Sequence, residues 1–128
     1  MKASISELTK AVVSLETSIN LFDKKTASED EKAAFRDACI QRFEYTIELS
    51  WKISMKTIGS TAAAAKPAIR EMARNNLIAN PDTWMIFIEA RNESSHSYDE
   101  NVAQKVFSSI RLFLPEVKKL ISELEKIK

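Results

Sequence analysis

The chain has 128 residues, 45% hydrophobic and 29% charged, with one glycine and three prolines; this make-up predicts one helical globular domain over residues 1–128 and leaves no room for a second. A formal net charge of +1 excludes a protein held to nucleic acid by bulk electrostatics, so any RNA contact has to be local. No apolar run approaches the ~20 residues that cross a bilayer, Met1-Lys2-Ala3-Ser4-Ile5 lacks the apolar core of a signal peptide, and the one cysteine has no partner for a disulfide, which predicts a cytoplasmic protein without membrane contact.

In chain order, the first helix opens at Ser4-x-x-Glu7, a capping box, and carries Ile5, Leu8, Val12, Leu15, Ile19 and Phe22 in steps of three and four. Residues 24–27 read as a short connection, and Ser28-x-x-Glu31 starts a second helix that stops at Gly59. That helix shows two apolar stripes, Ile40-Phe43-Ile47-Trp51-Met55-Ile58 and Phe35-Cys39-Tyr45-Leu49-Ile53, so it is predicted to bury more than one side. Cys39 falls inside this pattern as a small hydrophobe. Asp37, Gln41, Glu44, Glu48, Lys52 and Lys56 form a polar line, open to two readings. It is either a solvated face with a Glu48–Lys52 pair, or Arg42, Glu44 and Glu48 border a cleft or an interface.

Residues 60–65 read as a loop, and Pro67 falls in the first turn of a short third helix with Ile69, Met72, Ala73 and Leu77 inward. Lys66, Arg70 and Arg74, four apart, make a basic line that serves solubility or, in a functional reading, tracks a phosphate backbone. Asn80-Pro81 sets the start of a fourth helix with Trp84, Met85, Phe87 and Ile88. The fifth starts near Tyr98 or Asp99 and shows Val102, Val106, Ile110, Phe113, Val117, Leu120, Leu124 and Ile127, with Pro115 expected to bend it or cost one backbone bond. Lys118, Lys119, Lys126 and Lys128 suit the negative end of its dipole. The result is an all-α fold, an antiparallel up-and-down bundle of four core helices plus one short helix. Its seams leave apolar area uncovered, which predicts a homodimer.

The stretch from Arg91 to Tyr98, Arg-Asn-Glu-Ser-Ser-His-Ser-Tyr, gathers a permanent cation, the only histidine and a phenol. Arg91 shares a helical face with Trp84, Phe87 and Ile88. On an unbroken helix His96 would point roughly 140° away from it. Ser94-Ser95-His96-Ser97 is poor in helix formers and Ser97 with Glu100 fits a capping box, which predicts a tight turn that returns the imidazole to the guanidinium. No Cys/His cluster, glycine-rich phosphate loop or Gly-x-Ser-x-Gly elbow occurs, so no metal or cofactor is expected.

The pattern Arg-Asn-x3-His-x-Tyr followed by Asp99-Glu100 resembles the signature of the HEPN superfamily. Within it the chain is similar to the branch of nucleotidyltransferase substrate-binding proteins, which includes the HEPN toxins paired with minimal nucleotidyltransferase (MNT) antitoxins. The segment from Gln41 to Lys52, Trp84 and Leu114-Pro115 extend the likeness over residues from about 35 to about 120. The resemblance implies a helical bundle like a nucleotidyltransferase substrate-binding subunit, acting as a metal-independent endoribonuclease with Arg91 and His96 catalytic and Asn92 supporting. It also implies that sites from two subunits face one cleft, and that an MNT partner adenylylates Tyr98 and silences the toxin. Arg42, Lys66, Arg70 and Arg74 are candidates for RNA or partner contact. The alternative is a non-catalytic subunit that binds nucleotide or substrate for a separately encoded nucleotidyltransferase.

Overall fold

A computed structural model describes residues 2–127, with side chains from Ile5 onward. Five α-helices follow one another: α1 (Lys2–Phe22), α2 (Glu29–Ile58), α3 (Ala65–Arg74), α4 (Pro81–Glu93) and α5 (Glu100–Ile127). A single 3-10 turn, Ser94–His96, joins α4 to the approach of α5. No described helix is long and apolar enough to cross a membrane.

The α1 seam packs as its spacing requires: Ile5, Leu8, Val12, Leu15 and Ile19 are buried, with Phe22 partly so. The helix starts at Lys2, ahead of Ser4, so the box expected at Ser4-x-x-Glu7 does not begin it; the Ser4 side chain lies outside the described residues. At the other end the Lys32 ammonium donates to the Phe22 carbonyl at 2.7 Å, closing α1 from the first turns of α2.

α2 begins with a complete capping box, Glu31 N–H to Ser28 Oγ at 3.1 Å and Ser28 N–H to Glu31 Oε1 at 2.8 Å. Its three successive acids, Glu29, Asp30 and Glu31, suit the positive end of the helix dipole. It ends on Gly59 at φ +71°, where the Ser60 N–H reaches the Met55 carbonyl at 2.9 Å in a Schellman closure. α2 packs against each of the other four helices. Ile40, Phe43, Ile47, Trp51 and Met55 are buried as the first stripe predicts. The second stripe needs correction: Cys39 and Ile53 are buried, but Tyr45 is 57% exposed. Thr46, Ser50 and Ser54 take the second buried side instead. Their hydroxyls return to the carbonyls four residues back at 2.6–2.7 Å, so small side chains let a neighbour approach without an unpaired polar group.

α3 is held by Ala68, Ile69 and Met72, and Asn76 closes it in the left-handed region at φ 59°. α4 starts as expected, with Pro81 at the first position and Asn80 Oδ1 accepting from the Thr83 N–H at 3.2 Å. Trp84 and Phe87 of α4, Phe43 of α2 and Phe113 of α5 meet edge to face with centroids 5.2–5.6 Å apart, and Phe113 touches all three others. α5 runs through Pro115 without a break, at the cost of the backbone bond to the Arg111 carbonyl. Its seam is buried from Ala103 to Leu124, whereas Ile127, expected inside, is 45% exposed on the last turn. Lys118, Lys119 and Lys126 pair with Glu16, Glu116 and Glu123; Lys128 lies outside the described residues.

Candidate functional site

The end of α4 carries Arg91 inward, against α2. Its guanidinium lies 3.9 Å from Glu44 (Nη1 to Oε2) and 3.6 Å from Glu48 (Nε to Oε1), close enough for charge attraction and too long for good hydrogen bonds. The buried Nε has no hydrogen-bond partner. Glu48 is shared further, accepting from the Trp51 indole at 3.2 Å and lying 3.9 Å from Lys52. The polar line on α2 is therefore divided: Lys52 forms a solvated edge, Glu44 and Glu48 face Arg91 of α4, and Arg42 does not join them at a common cleft.

After Glu93 the chain turns back, and α5 runs antiparallel to α4, with Lys105 3.4 Å from Glu93 and Phe113 beside Phe87. The tight turn forms as one 3-10 turn, with Glu93, Ser94 and Ser97 keeping right-handed helical backbone angles, before a new helix opens at Glu100. Ser94 is the buried pivot, 3% exposed. Its hydroxyl meets the Glu44 carboxylate and donates to the Arg91 carbonyl at 2.6 Å. The capping box expected at Ser97 is absent. Asp99 caps α5 instead, its Oδ1 accepting from the N–H groups of Asn101 at 2.9 Å and Val102 at 3.3 Å. Glu100, the first residue of α5, turns back to α2, where Arg36 holds it through two bonds of 2.6 and 2.9 Å. The hydrogen bond from Arg36 holds the Glu100 carboxyl below its ordinary range, and the same contact raises Arg36.

His96 and Tyr98 stand on the surface between these fixed points. Both are exposed, Tyr98 at 86%, and the phenol oxygen lies 3.4 Å from His96 Nδ1. No hydrogen bond joins Arg91 to His96 among the described residues: the guanidinium keeps company with carboxylates, the imidazole with a phenol. Asn92 is exposed, its carbonyl accepting from the Ser95 hydroxyl at 3.3 Å.

The outlying basic residues fall into two places. Arg42 faces the opposite side of α2 from Glu44, donating to the Ser14 carbonyl of α1 at 2.8 Å. It lines an open groove of about 470 Å³ between α1 and α2, with Lys10 and Tyr45. Lys66, Arg70 and Arg74 are exposed along α3. Arg74 pairs with Glu71 at 2.6 Å, and Arg70 and Arg74 border a hollow of about 440 Å³ with Ser60 and Thr61. Among the described residues no three or more His, Cys, Asp or Glu side chains gather as a metal site would require. Arg36, Glu100 and Ser94 are the site residues that sequence reasoning missed. Glu100 was legible only as a capping partner, and the Arg36 contact spans 64 positions that no local pattern connects.

An all-helical bundle with this arginine-to-tyrosine segment at the end of its fourth helix matches a known class. The chain belongs to the family of nucleotidyltransferase substrate binding protein like proteins, whose model matches residues 3–126, a branch of the HEPN superfamily. It is 27% identical over 137 aligned residues to a probable ribonuclease HepT of Haemophilus influenzae, covering 98% of this chain and 94% of that protein. Among solved structures it is similar to an H. influenzae protein described as having the fold of a substrate binding domain of a nucleotidyltransferase. There the TM-score is 0.82 at 28% identity, over 94% of this chain and 98% of that one. A Thermus thermophilus protein follows with TM-score 0.76 and 26% identity, over 91% and 98% of the two chains.

Proposed function

We propose that this protein is a metal-independent endoribonuclease of the HEPN toxin type, neutralised by an MNT nucleotidyltransferase that adenylylates Tyr98. The observation that carries the reading is that one short segment of a chain similar to a probable ribonuclease holds both an exposed imidazole and a guanidinium whose contacts are all longer than hydrogen bonds. His96 takes the proton of an RNA 2′-hydroxyl, the resulting oxygen attacks the adjacent phosphorus, and the P–O5′ bond breaks to leave a cyclic phosphate and a 5′-hydroxyl. Arg91 offers its fork to the phosphate oxygens as their charge grows. One histidine per chain cannot serve at once as base and as the acid that protonates the leaving oxygen. A homodimer supplies both, with the His96 of a second copy in the other role.

The phenol 3.4 Å from His96 supports Tyr98 as the modified residue, because an attached AMP would place bulk and negative charge at the imidazole. Incubated with the partner and ATP, the wild type gains mass in AMP units and loses RNA cleavage. Tyr98→Phe gains none and stays active; mass gain by that variant means the acceptor lies elsewhere. The cleavage test is His96→Ala, which lowers the rate by about 10²–10⁴-fold. Equal cleavage by wild type and His96→Ala refutes the nuclease.

A second reading, a non-catalytic subunit presenting nucleotide or substrate to the nucleotidyltransferase, draws on Glu44 and Glu48, whose charges temper the attraction of Arg91 for an anion. Co-purification with a nucleotidyltransferase and no cleavage by the wild type would favour it.

A further inference from the structure

α2 holds the segment that carries His96 and Tyr98 at two points. On one side the Glu44 carboxylate meets the hydroxyl of buried Ser94, which also bonds the Arg91 carbonyl. On the other, Arg36 grips Glu100 through both guanidinium nitrogens, Nη1 to Oε2 at 2.6 Å and Nη2 to Oε1 at 2.9 Å. Arg36 and Glu44 are about 12 Å apart along the helix axis, two turns of α2. Only five residues, 95–99, lie between the anchored positions 94 and 100, and two of them are His96 and Tyr98.

The arginine end of the Arg36–Glu100 ion pair is sheltered. The Arg36 side chain is 19% exposed and its Nε is buried without a partner, a desolvation that a freely solvated arginine avoids. The fork fixes orientation as well as distance, because two parallel bonds define the plane of the carboxylate. Inside the anchors the backbone is bonded to itself, Ser97 N–H to the Ser94 carbonyl at 3.1 Å and Asp99 N–H to the His96 carbonyl at 3.0 Å. Such a segment has little freedom to move its backbone, and so the Cα positions from which His96 and Tyr98 project are fixed.

We propose that Arg36 and Glu44 are positioning residues, which act through Glu100 and Ser94 to set where the His96 imidazole and the Tyr98 phenol stand. The proposal deepens the nuclease reading and rests on it for its kinetic arm. It makes α2 the template for both chemistries at the segment, proton transfer and AMP acceptance.

The test compares Arg36→Gln, Arg36→Lys, Glu100→Gln and Glu44→Gln with Arg111→Gln. The last breaks a matching fork, Arg111 to Asp23 at 2.5 and 3.0 Å, that joins α5 to the end of α1. His96 is the only histidine, so its C2 proton gives one unambiguous NMR signal. In Arg36→Gln, Glu100→Gln and Glu44→Gln that signal shifts or broadens and kcat for RNA cleavage falls roughly 10- to 100-fold; KM stays within about twofold in the Arg36 and Glu100 variants, which leave the charges around Arg91 untouched. Arg36→Lys recovers part of the loss, since a charged donor remains without the fork. Arg111→Gln leaves signal and rate unchanged. Glu100 is 61% exposed, so Glu100→Gln retains the fold even if an Arg36 variant does not. Variants of Arg36, Glu44 and Glu100 that match Arg111→Gln in both the His96 signal and kcat overturn the proposal. A wild type that cleaves no RNA refutes the nuclease reading alone; the His96 signal and the rate of AMP addition to Tyr98 then decide the positioning.

Discussion

Arg91 shows how much the surroundings of one cation matter. An arginine at the end of an apolar stripe could have been a solvated cap, but α4 lays it over Glu44 and Glu48, at distances that attract without saturating its donors. An incoming phosphate must compete with those carboxylates. Glu48→Gln keeps the acceptor for the Trp51 indole while removing one charge. Groups about one-third exposed interact by ~0.2–1 kcal/mol, so RNA affinity should rise by up to about fivefold, read by fluorescence anisotropy at fixed salt. Unchanged or weaker binding would mean that Glu48 orients the guanidinium more than it opposes the ligand. Cys39 is the contrasting case. Burial pushes its thiol up, which keeps it a packing residue without nucleophilic use.

The helices owe their limits to local chemistry, and this can be tested at the ends of α2 and α1. A Cβ at Gly59 would meet nothing within 4 Å, so the whole cost of Gly59→Ala is the left-handed backbone at φ +71°. We expect ~1 kcal/mol of destabilisation in urea melts, and Gly59→Asn to cost less. A neutral Gly59→Ala would show that the end of α2 unwinds at little cost. At the junction of α1 with α5, the hydrogen bond from Arg111 is the main cause holding the Asp23 carboxyl below its ordinary value, opposed by partial desolvation and helped by the charge of Arg111. A carboxyl lowered in the folded state adds stability that is present above the unfolded pKa, ~3.9, and is lost as pH falls through the folded value. Glu100, lowered by Arg36, works in the same direction. Asp23→Asn should therefore lower the melting temperature at pH 7 and narrow its gap from wild type as pH drops below about 4. A gap that stays constant down to pH 2 would mean that the pair does not contribute.

Taken whole, the molecule is arranged around α2, which touches every other helix and supplies Arg36, Glu44 and Glu48 to the candidate site. Phe113 links α5 to this centre through Phe43, Trp84 and Phe87. It is fully buried, so Phe113→Ala should cost about 3–5 kcal/mol, a large part of the ~5–15 kcal/mol that folds a domain. Phe113→Leu should cost less because more of the volume is kept. Chemical denaturation that finds both within about 0.5 kcal/mol of wild type would remove the aromatic cluster as the link between core and site.

The sequence by itself determined the helices and most of the buried stripes of α1 and α5. Ser28-x-x-Glu31, Gly59 and Asn80-Pro81 act on backbone groups within four residues, and the apolar periodicity of α1 and α5 is a property of each helix alone. That the stretch from Arg91 to Tyr98 gathers a cation, the one imidazole and a phenol was also visible. Only the tertiary structure decided that Tyr45 is exposed while Thr46, Ser50 and Ser54 are buried, that Arg91 sits with carboxylates and His96 with a phenol, and that Glu100 answers to Arg36 and Ser94 to Glu44. Those pairs are 64 and 50 positions apart, and they exist because side-by-side packing of α2, α4 and α5 brings together groups that no spacing along the chain connects.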